Sequence, residues 1–344
     1  MMIKAFLLCL VGMVDSLRES NISTAGRYDY VVSIPDIHGD LEVLLRSLWM
    51  TKVEIDGSDS AGSFDNFKVL FSANTTMTSS KRVLVIQTGD IIDRGAASLS
   101  CYRAIWKVEK VLGWDLINLI GNHEVMTMAG EADNYAHPGD IAEFGSIEAR
   151  RAAFSKGGPM WKVITDSFLF MVRVEMGINE STLFVHAGID SRWVSKLSKN
   201  IQSISQLNEF LLTELRKDAQ SGYLASASSP VWTRDLANGK EKPVCDKLLP
   251  KVLERFKAKR MVVGHTPQQS LVANVRCNAT LILADVAMSR WMGSGQFGNP
   301  SAFLFQLGND GSALERIYSV YWEGATVDQL IYQPEESAGG IQEL

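Results

Sequence analysis

The sequence predicts a layered α/β fold with a largely parallel or mixed sheet. Apolar segments of strand length alternate with amphipathic helical stripes, which is the rhythm of βα units. Five of the apolar segments end directly in a polar or charged tip, as strands of such sheets do where they meet a ligand. The 344 residues are 46% apolar and 21% charged, enough to bury a large core, and nothing in the composition marks a second domain.

At the N-terminus, Lys4 precedes an apolar run over residues 5–14 that is too short to span a bilayer and has the length of a signal-peptide core. Residues 1–16 therefore read as a secretory signal cleaved near Ser16; the alternative is an N-terminal segment of a cytoplasmic enzyme. In the secretory pathway, secreted or retained in the endoplasmic reticulum, the sequons at Asn21, Asn74, Asn179 and Asn278 would make the chain a glycoprotein. Cys9 would leave with the signal, so Cys101, Cys245 and Cys277 allow at most one disulfide and no structural zinc. Residues 341–344 share only their final Glu-Leu with the endoplasmic-reticulum retrieval signal.

The first strand, residues 30–34, runs into Pro35-Asp36-Ile37-His38-Gly39-Asp40, and Asp40 caps a helical stripe of Leu41, Leu44, Leu45 and Leu48. Residues 51–80, rich in Ser, Thr, Gly, Asn and Asp, read as a surface insertion with a weak strand around Lys68 to Phe71. A second strand, residues 83–86, precedes Gly89-Asp90-Ile91-Ile92-Asp93-Arg94-Gly95, around which the chain is organised. Leu99, Tyr102, Ile105 and Trp106 then mark a helix, and residues 116–120 a strand ending at Gly121-Asn122-His123-Glu124.

Residues 125–162, with Met-rich and Gly-rich turns and a helix over 147–154, read as a cap over the site. The strand at 182–185 ends in His186-Ala187-Gly188, and a helical stripe from Ile201 to Leu215 leads through a Ser-rich loop to Pro230-Val231-Trp232-Thr233-Arg234. A helix over 248–256, a strand over 261–263 ending in Gly264-His265-Thr266-Pro267, and a strand over 281–284 ending at Asp285 complete the alternation.

Four of the five histidines lie in these tips, a concentration that ordinary surface or core residues would not produce; His137, in a loop, reads as non-ligating. Strand tips of an α/β sheet converge on one crevice, so Asp36, His38, Asp90, Asn122, His186 and His265 would meet there. Carboxylate, imidazole and amide oxygen without thiolate suit Mn²⁺, Fe²⁺ or Zn²⁺. Six protein ligands are too many for one catalytic ion that keeps a position open, so two ions sharing a carboxylate and a bridging solvent fit better. Such pairs generate hydroxide and neutralise charge in displacement at phosphorus. His123 would then protonate the leaving group, with Asp93 setting its tautomer, and Arg94 would grip the phosphoryl oxygens. A seventh ligand or a core histidine is the alternative for His123.

This motif series resembles the PPP-type metallophosphatases of the calcineurin-like phosphoesterase superfamily. His186-Ala187-Gly188, Glu143-Phe144-Gly145 with Arg150-Arg151-Ala152-Ala153-Phe154, and the Pro230 to Arg234 segment resemble its Shewanella-like branch. The likeness covers residues 28–318 and leaves 319–344 as a C-terminal tail. It implies a calcineurin-like metallophosphoesterase fold, a two-sheet β-sandwich flanked by helices. One metal would be held by Asp36, His38 and bridging Asp90, the other by Asp90, Asn122, His186 and His265, with Arg234 as a second phosphate arginine. Pro35 stands where the family usually has glycine.

The implied activity is a protein phosphatase for phosphoserine/threonine or phosphotyrosine. The alternatives are hydrolysis of small phosphoesters or dinucleoside polyphosphates, and a non-catalytic binding protein on the same scaffold, which predicts loss of a ligand or of the acid; all are present. A net charge of -5 without a basic run argues against nucleic acid as a partner, and the motifs say nothing of oligomeric state.

Overall fold

The computed structural model describes residues 19–77, 79–292, 299–322 and 329–334, so the signal expected at residues 1–16 and the residues at 341–344 lie outside the described part. Its strands are β1 (Asn21–Ser23), β2 (Tyr30–Ile34), β3 (Val83–Gln87), β4 (Asp115–Asn118), β5 (Met171–Glu175), β6 (Ser181–Val185), β7 (Arg260–Val263), β8 (Asn274–Arg276), β9 (Leu281–Leu283), β10 (Ser301–Leu307), β11 (Leu314–Tyr321) and β12 (Gln329–Tyr332). They form two six-stranded sheets, ordered β12-β11-β10-β2-β3-β4 and β1-β5-β6-β7-β9-β8.

The sheets are mixed, as expected. In one, β2, β3 and β4 pair in parallel; in the other, β6, β7 and β9 do. Every residue of β3, β6 and β7 is buried, as parallel strands covered on both faces are. The Phe184 ring on β6 meets Phe305 on β10 edge to face at 5.3 Å, which places the sheets face to face. This is the two-sheet sandwich flanked by helices that the resemblance implies. No helix among the described residues is long and apolar enough to cross a membrane.

Residues 51–80 depart from the expectation. Helix Leu41–Asp56 runs into the segment, and Ser58–Ala61 and Phe64–Ser72 follow it, so the strand expected around Lys68 to Phe71 is helical. Phe64, Phe67 and Phe71 fall on one helical stripe and are buried, and Ser63 caps the helix by accepting the Asn66 N–H at 3.2 Å. The polar residues around this stripe masked it. Residues 125–162 are also more helical than their turn-like composition indicated: Asn122–Ala129, Pro138–Phe144, Ile147–Phe154 and Pro159–Ser167 are helices. Cys245 and Cys277 form one disulfide with Cα atoms 5.1 Å apart, and Cys101 is buried and free.

The turns after β2 and β3 lie against each other through backbone bonds from the N–H groups of Ile37 and His38 to Asp90 O at 3.0 and 2.9 Å. Gly95 allows that contact, since a Cβ there would lie 2.3 Å from His38 O and 2.6 Å from Gly39 O. Neither carbonyl can step aside. Gly95→Ala is expected to lose about 1–3 kcal/mol of stability, measured by denaturant melting; an unchanged midpoint would contradict the close approach.

Candidate metal centre and active site

The parallel strands of both sheets deliver their tips to one place. From the first sheet come Asp36 and His38 after β2, Asp90 after β3, and Asn122 and His123 after β4; from the second come His186 after β6 and His265 after β7. All seven side chains are buried. His186 Nε2 lies 3.0 Å and His265 Nδ1 2.8 Å from Asn122 Oδ1, and His186 Nε2 lies 3.4 Å from Asp90 Oδ1. On its other side, Asp90 Oδ2 is 3.7 Å from His38 Nε2. Ligand atoms of Asp90, His186 and His265 fall within 4.8 Å of one another, and so do those of His38, Asp90 and His123. Asp90 belongs to both groups. Asp36 stands beside them, its two oxygens accepting the His265 N–H at 3.2 and 3.1 Å, but it is in neither group.

Local backbone geometry makes this convergence possible. His38, Asp90 and His265 have φ of 47°, 54° and 64°, left-handed values that non-glycine residues hold only when their surroundings compel them. Gly121 leaves room for Asp90, because a Cβ there would lie 2.1 Å from Asp90 Oδ1. The His123 N–H donates to that same oxygen at 2.9 Å.

Each candidate imidazole ligand is oriented by a backbone carbonyl. His186 Nδ1 faces Thr88 O at 2.9 Å, His265 Nε2 faces Trp232 O at 3.1 Å, and His38 Nδ1 faces Ile92 O at 3.3 Å. A carbonyl only accepts, so these nitrogens carry the hydrogen and the opposite ring nitrogen is left as a lone-pair donor. Burial keeps the rings neutral, pushing His186 down to about 3, His265 to about 2 and His38 well below its ordinary value. The carboxyls of Asp36 and Asp90 are raised by burial and by neighbouring carboxylates. Neutral imidazoles, an amide oxygen and crowded carboxylates are a donor set that divalent cations fit.

His123 is turned differently. Its Nδ1 meets Asp93 Oδ2 at 2.7 Å, which leaves Nε2 for the site. Burial first, then the charges of Arg94, Arg150 and Arg234, push this imidazole down to about 3. Arg94, with φ of 65°, has a buried Nε without a hydrogen-bond partner and holds its guanidinium 5.3 Å from the Tyr135 ring. Arg234 is exposed and stands at the N-cap position of helix Asp235–Asn238 without a side-chain capping bond. Its charge is among those that lower His123, His186 and His265. His137 stands apart, capping helix Pro138–Phe144 and packing on Trp291.

Three residues without an assigned role belong to the site. Glu124 holds the turns together from beneath, accepting the N–H groups of Asp90, Ile91 and Gly121, each at 2.9 Å. Asp285, at the end of β9, is buried with Oδ2 unpartnered, and it is the foremost carboxylate acting on Asp36. Its position after an apolar strand was a readable signal, the same that marks the other tips. Arg150 is buried against Asp93.

With this geometry in place, the class is defined: residues 30–269 match the calcineurin-like phosphoesterase family, and the chain belongs to it. Its relatives include Shewanella-like protein phosphatase 1 of Plasmodium berghei, 28% identical over 81% of this chain and 72% of that protein. Shewanella-like protein phosphatase 2 of Arabidopsis thaliana is 25% identical over 77% of this chain and 73% of that one. Among solved structures, a cold-active protein-tyrosine phosphatase of a psychrophilic Shewanella species superposes with a TM-score of 0.65 at 19% identity, covering 92% of this chain and 83% of that one. These relatives agree with the Shewanella-like branch that the motifs resemble.

Cation binding should depend on pH through the carboxyls. Burial raises Asp285 to about 6 from its ordinary 3.8, so it must release a proton to face a cation, whereas His186, neutral above about 3, need not. In the metal-free protein, the stability contributed by the raised Asp285 pKa is present below the ordinary carboxylate value and lost as pH rises through about 6. The gain in melting temperature on adding Mn²⁺ is therefore expected to be larger at about pH 7.5 than at about pH 5. Equal gains would contradict the carboxylate cluster as the binding site.

Proposed function

We propose that the chain is a metal-dependent phosphoprotein phosphatase. The observation that carries this reading is the convergence of motif side chains on Asp90, with the His123–Asp93 pair beside them. Asp36, His38 and Asp90 would hold one divalent ion, and Asp90, Asn122, His186 and His265 a second. Manganese, iron and zinc all suit the donors. When bound, such ions supply Lewis acidity and an activated solvent nucleophile.

The chain's own groups do the rest. Arg94 and Arg234 carry the positive charge that a phosphoryl group requires. His123, its Nδ1–H engaged by Asp93, holds a lone pair at Nε2 that would take up the proton released as the solvent nucleophile ionises and pass it to the departing oxygen as general acid. Tyr135 is 41% exposed, and its ring lies 5.1 Å edge-on from His123, giving a phosphotyrosine side chain an aromatic surface beside the phosphate. The names of the relatives above support a protein substrate.

A secretory location remains part of the proposal. The Cys245–Cys277 disulfide supports it, since such bonds persist in oxidising compartments. Mass spectrometry of the native N-terminus tests it, and an intact Met1 would exclude cleavage.

Turnover of phosphoserine and phosphotyrosine peptides by the manganese-loaded protein, compared with dinucleoside polyphosphates, tests the substrate class; preferential cleavage of the nucleotides would overturn it. His123→Asn should lower kcat on a phosphoserine peptide by roughly 10²–10⁴-fold while both metals stay bound. A near-normal rate would remove His123 from its role. Asp90→Asn should cost metal itself, and elemental analysis finding two ions per chain would refute the bridging assignment.

A further inference from the structure

We infer that Arg150 is a positioning residue for the general acid: it holds one oxygen of Asp93 so that the other is presented to His123. The inference rests on the phosphatase reading above and concerns a residue outside every strand-tip motif.

Arg150 lies on helix Ile147–Phe154 and is 1% exposed. Its Nη2 donates to Asp93 Oδ1, and its Nε donates to Asp140 Oδ2 at 2.7 Å, so one cation is held between two buried carboxylates. Asp93 divides its oxygens. Oδ1 takes the guanidinium, while Oδ2 meets His123 Nδ1 at 2.7 Å and is reached by the Thr127 hydroxyl at 3.4 Å. The terminal torsion of an aspartate is soft, and the long Thr127 contact gives little to fix it. Arg150 supplies the rigid partner, because a planar guanidinium constrains direction as well as distance.

The arginine also keeps Asp93 able to accept. Asp93 is fully buried, and burial lifts its carboxyl to about 6 even though the charge and hydrogen bond of Arg150 pull the other way. Loss of the guanidinium would remove the largest of the contacts that pull against that lift, leaving the Thr127 hydroxyl and the charge of Arg94. Asp140 in turn compensates the guanidinium, so the arrangement runs His123, Asp93, Arg150, Asp140 from the site outward to helix Pro138–Phe144. A purely structural role, stapling two helices to the turn after β3, is the competing account.

The two accounts differ in leaving-group dependence. Acid catalysis matters most when the departing oxygen is a poor leaving group, as from phosphoserine, and least for p-nitrophenyl phosphate. In the manganese-loaded enzyme, Arg150→Lys is expected to lower kcat on a phosphoserine peptide about tenfold or more, and to change kcat on p-nitrophenyl phosphate less than about threefold. KM for both substrates and the manganese content per chain should hold. An equal loss on both substrates, or no loss on either, would overturn the inference. If Arg150→Lys does not yield folded protein, Arg150→Met combined with Asp140→Asn removes the cation together with its outer partner, and the same comparison decides. A wild-type protein inactive on both substrates would overturn the phosphatase reading itself, and the inference with it.

Discussion

The Glu124 carboxylate, wholly buried at the start of helix Asn122–Ala129, receives the N–H groups of Asp90, Ile91 and Gly121 at 2.9 Å and the Tyr102 hydroxyl at 3.1 Å. It thereby binds the turn after β3 to the turn after β4. That matters because the β3 turn is conformationally expensive: Asp90, Asp93 and Arg94 all have left-handed φ, of 54°, 70° and 65°. Each such residue costs on the order of 1–3 kcal/mol. Charge-assisted hydrogen bonds to a buried carboxylate are among the stronger contacts a backbone can make, and here they fall on the turn that needs them. Asp90, the residue common to both candidate ligand groups, is held by this arrangement.

Backbone groups also aim the imidazoles. Thr88, Ile92 and Trp232 each present a carbonyl to the outer nitrogen of a histidine, and those carbonyls are fixed by the turns rather than by mobile side chains. What remains uncompensated is negative charge. Asp36, Asp90 and Asp285 are buried together, and each is pushed toward its protonated form. A site built this way favours cations over water because its lone pairs and carboxylates already converge. The arginines stand on the other side of the balance: Arg94 and Arg234 are among the charges that act on His123, and Arg150 pairs with Asp93 behind it.

Much of this was legible because the chemistry sits where apolar runs stop. Asp36, Asp90, Asn122, His186 and His265 each follow a strand whose bounds differ by at most a few residues from those the hydrophobic pattern gives. The supports were not legible. Glu124 acts on the N–H groups of Asp90 and Ile91, more than thirty positions away, and a backbone donor leaves no trace in sequence. Arg150 was visible as part of a family-like segment, yet its partner Asp93 is fixed only by tertiary packing. The strand expected near Lys68 failed for another reason: Phe64, Phe67 and Phe71 carry the helical period, and the Ser, Gly and Asp residues before them drew the reading toward a loop.

The two sheets contribute different chemistry, and neither holds a site alone. The tips of β2, β3 and β4 bring Asp36, His38, Asp90, Asn122 and His123, whereas those of β6, β7 and β9 bring His186, His265 and Asp285. The contacts that join the halves include His186 Nδ1 to Thr88 O at 2.9 Å and the His265 N–H to Asp36. Each of these runs between a residue beside one sheet and a residue beside the other, so the candidate ligand set comes together only when the sheets are packed. Cation binding at such a seam is necessarily coupled to the tertiary fold. It offsets the buried carboxylates that packing brings together, and packing in turn supplies the imidazoles that a single sheet lacks.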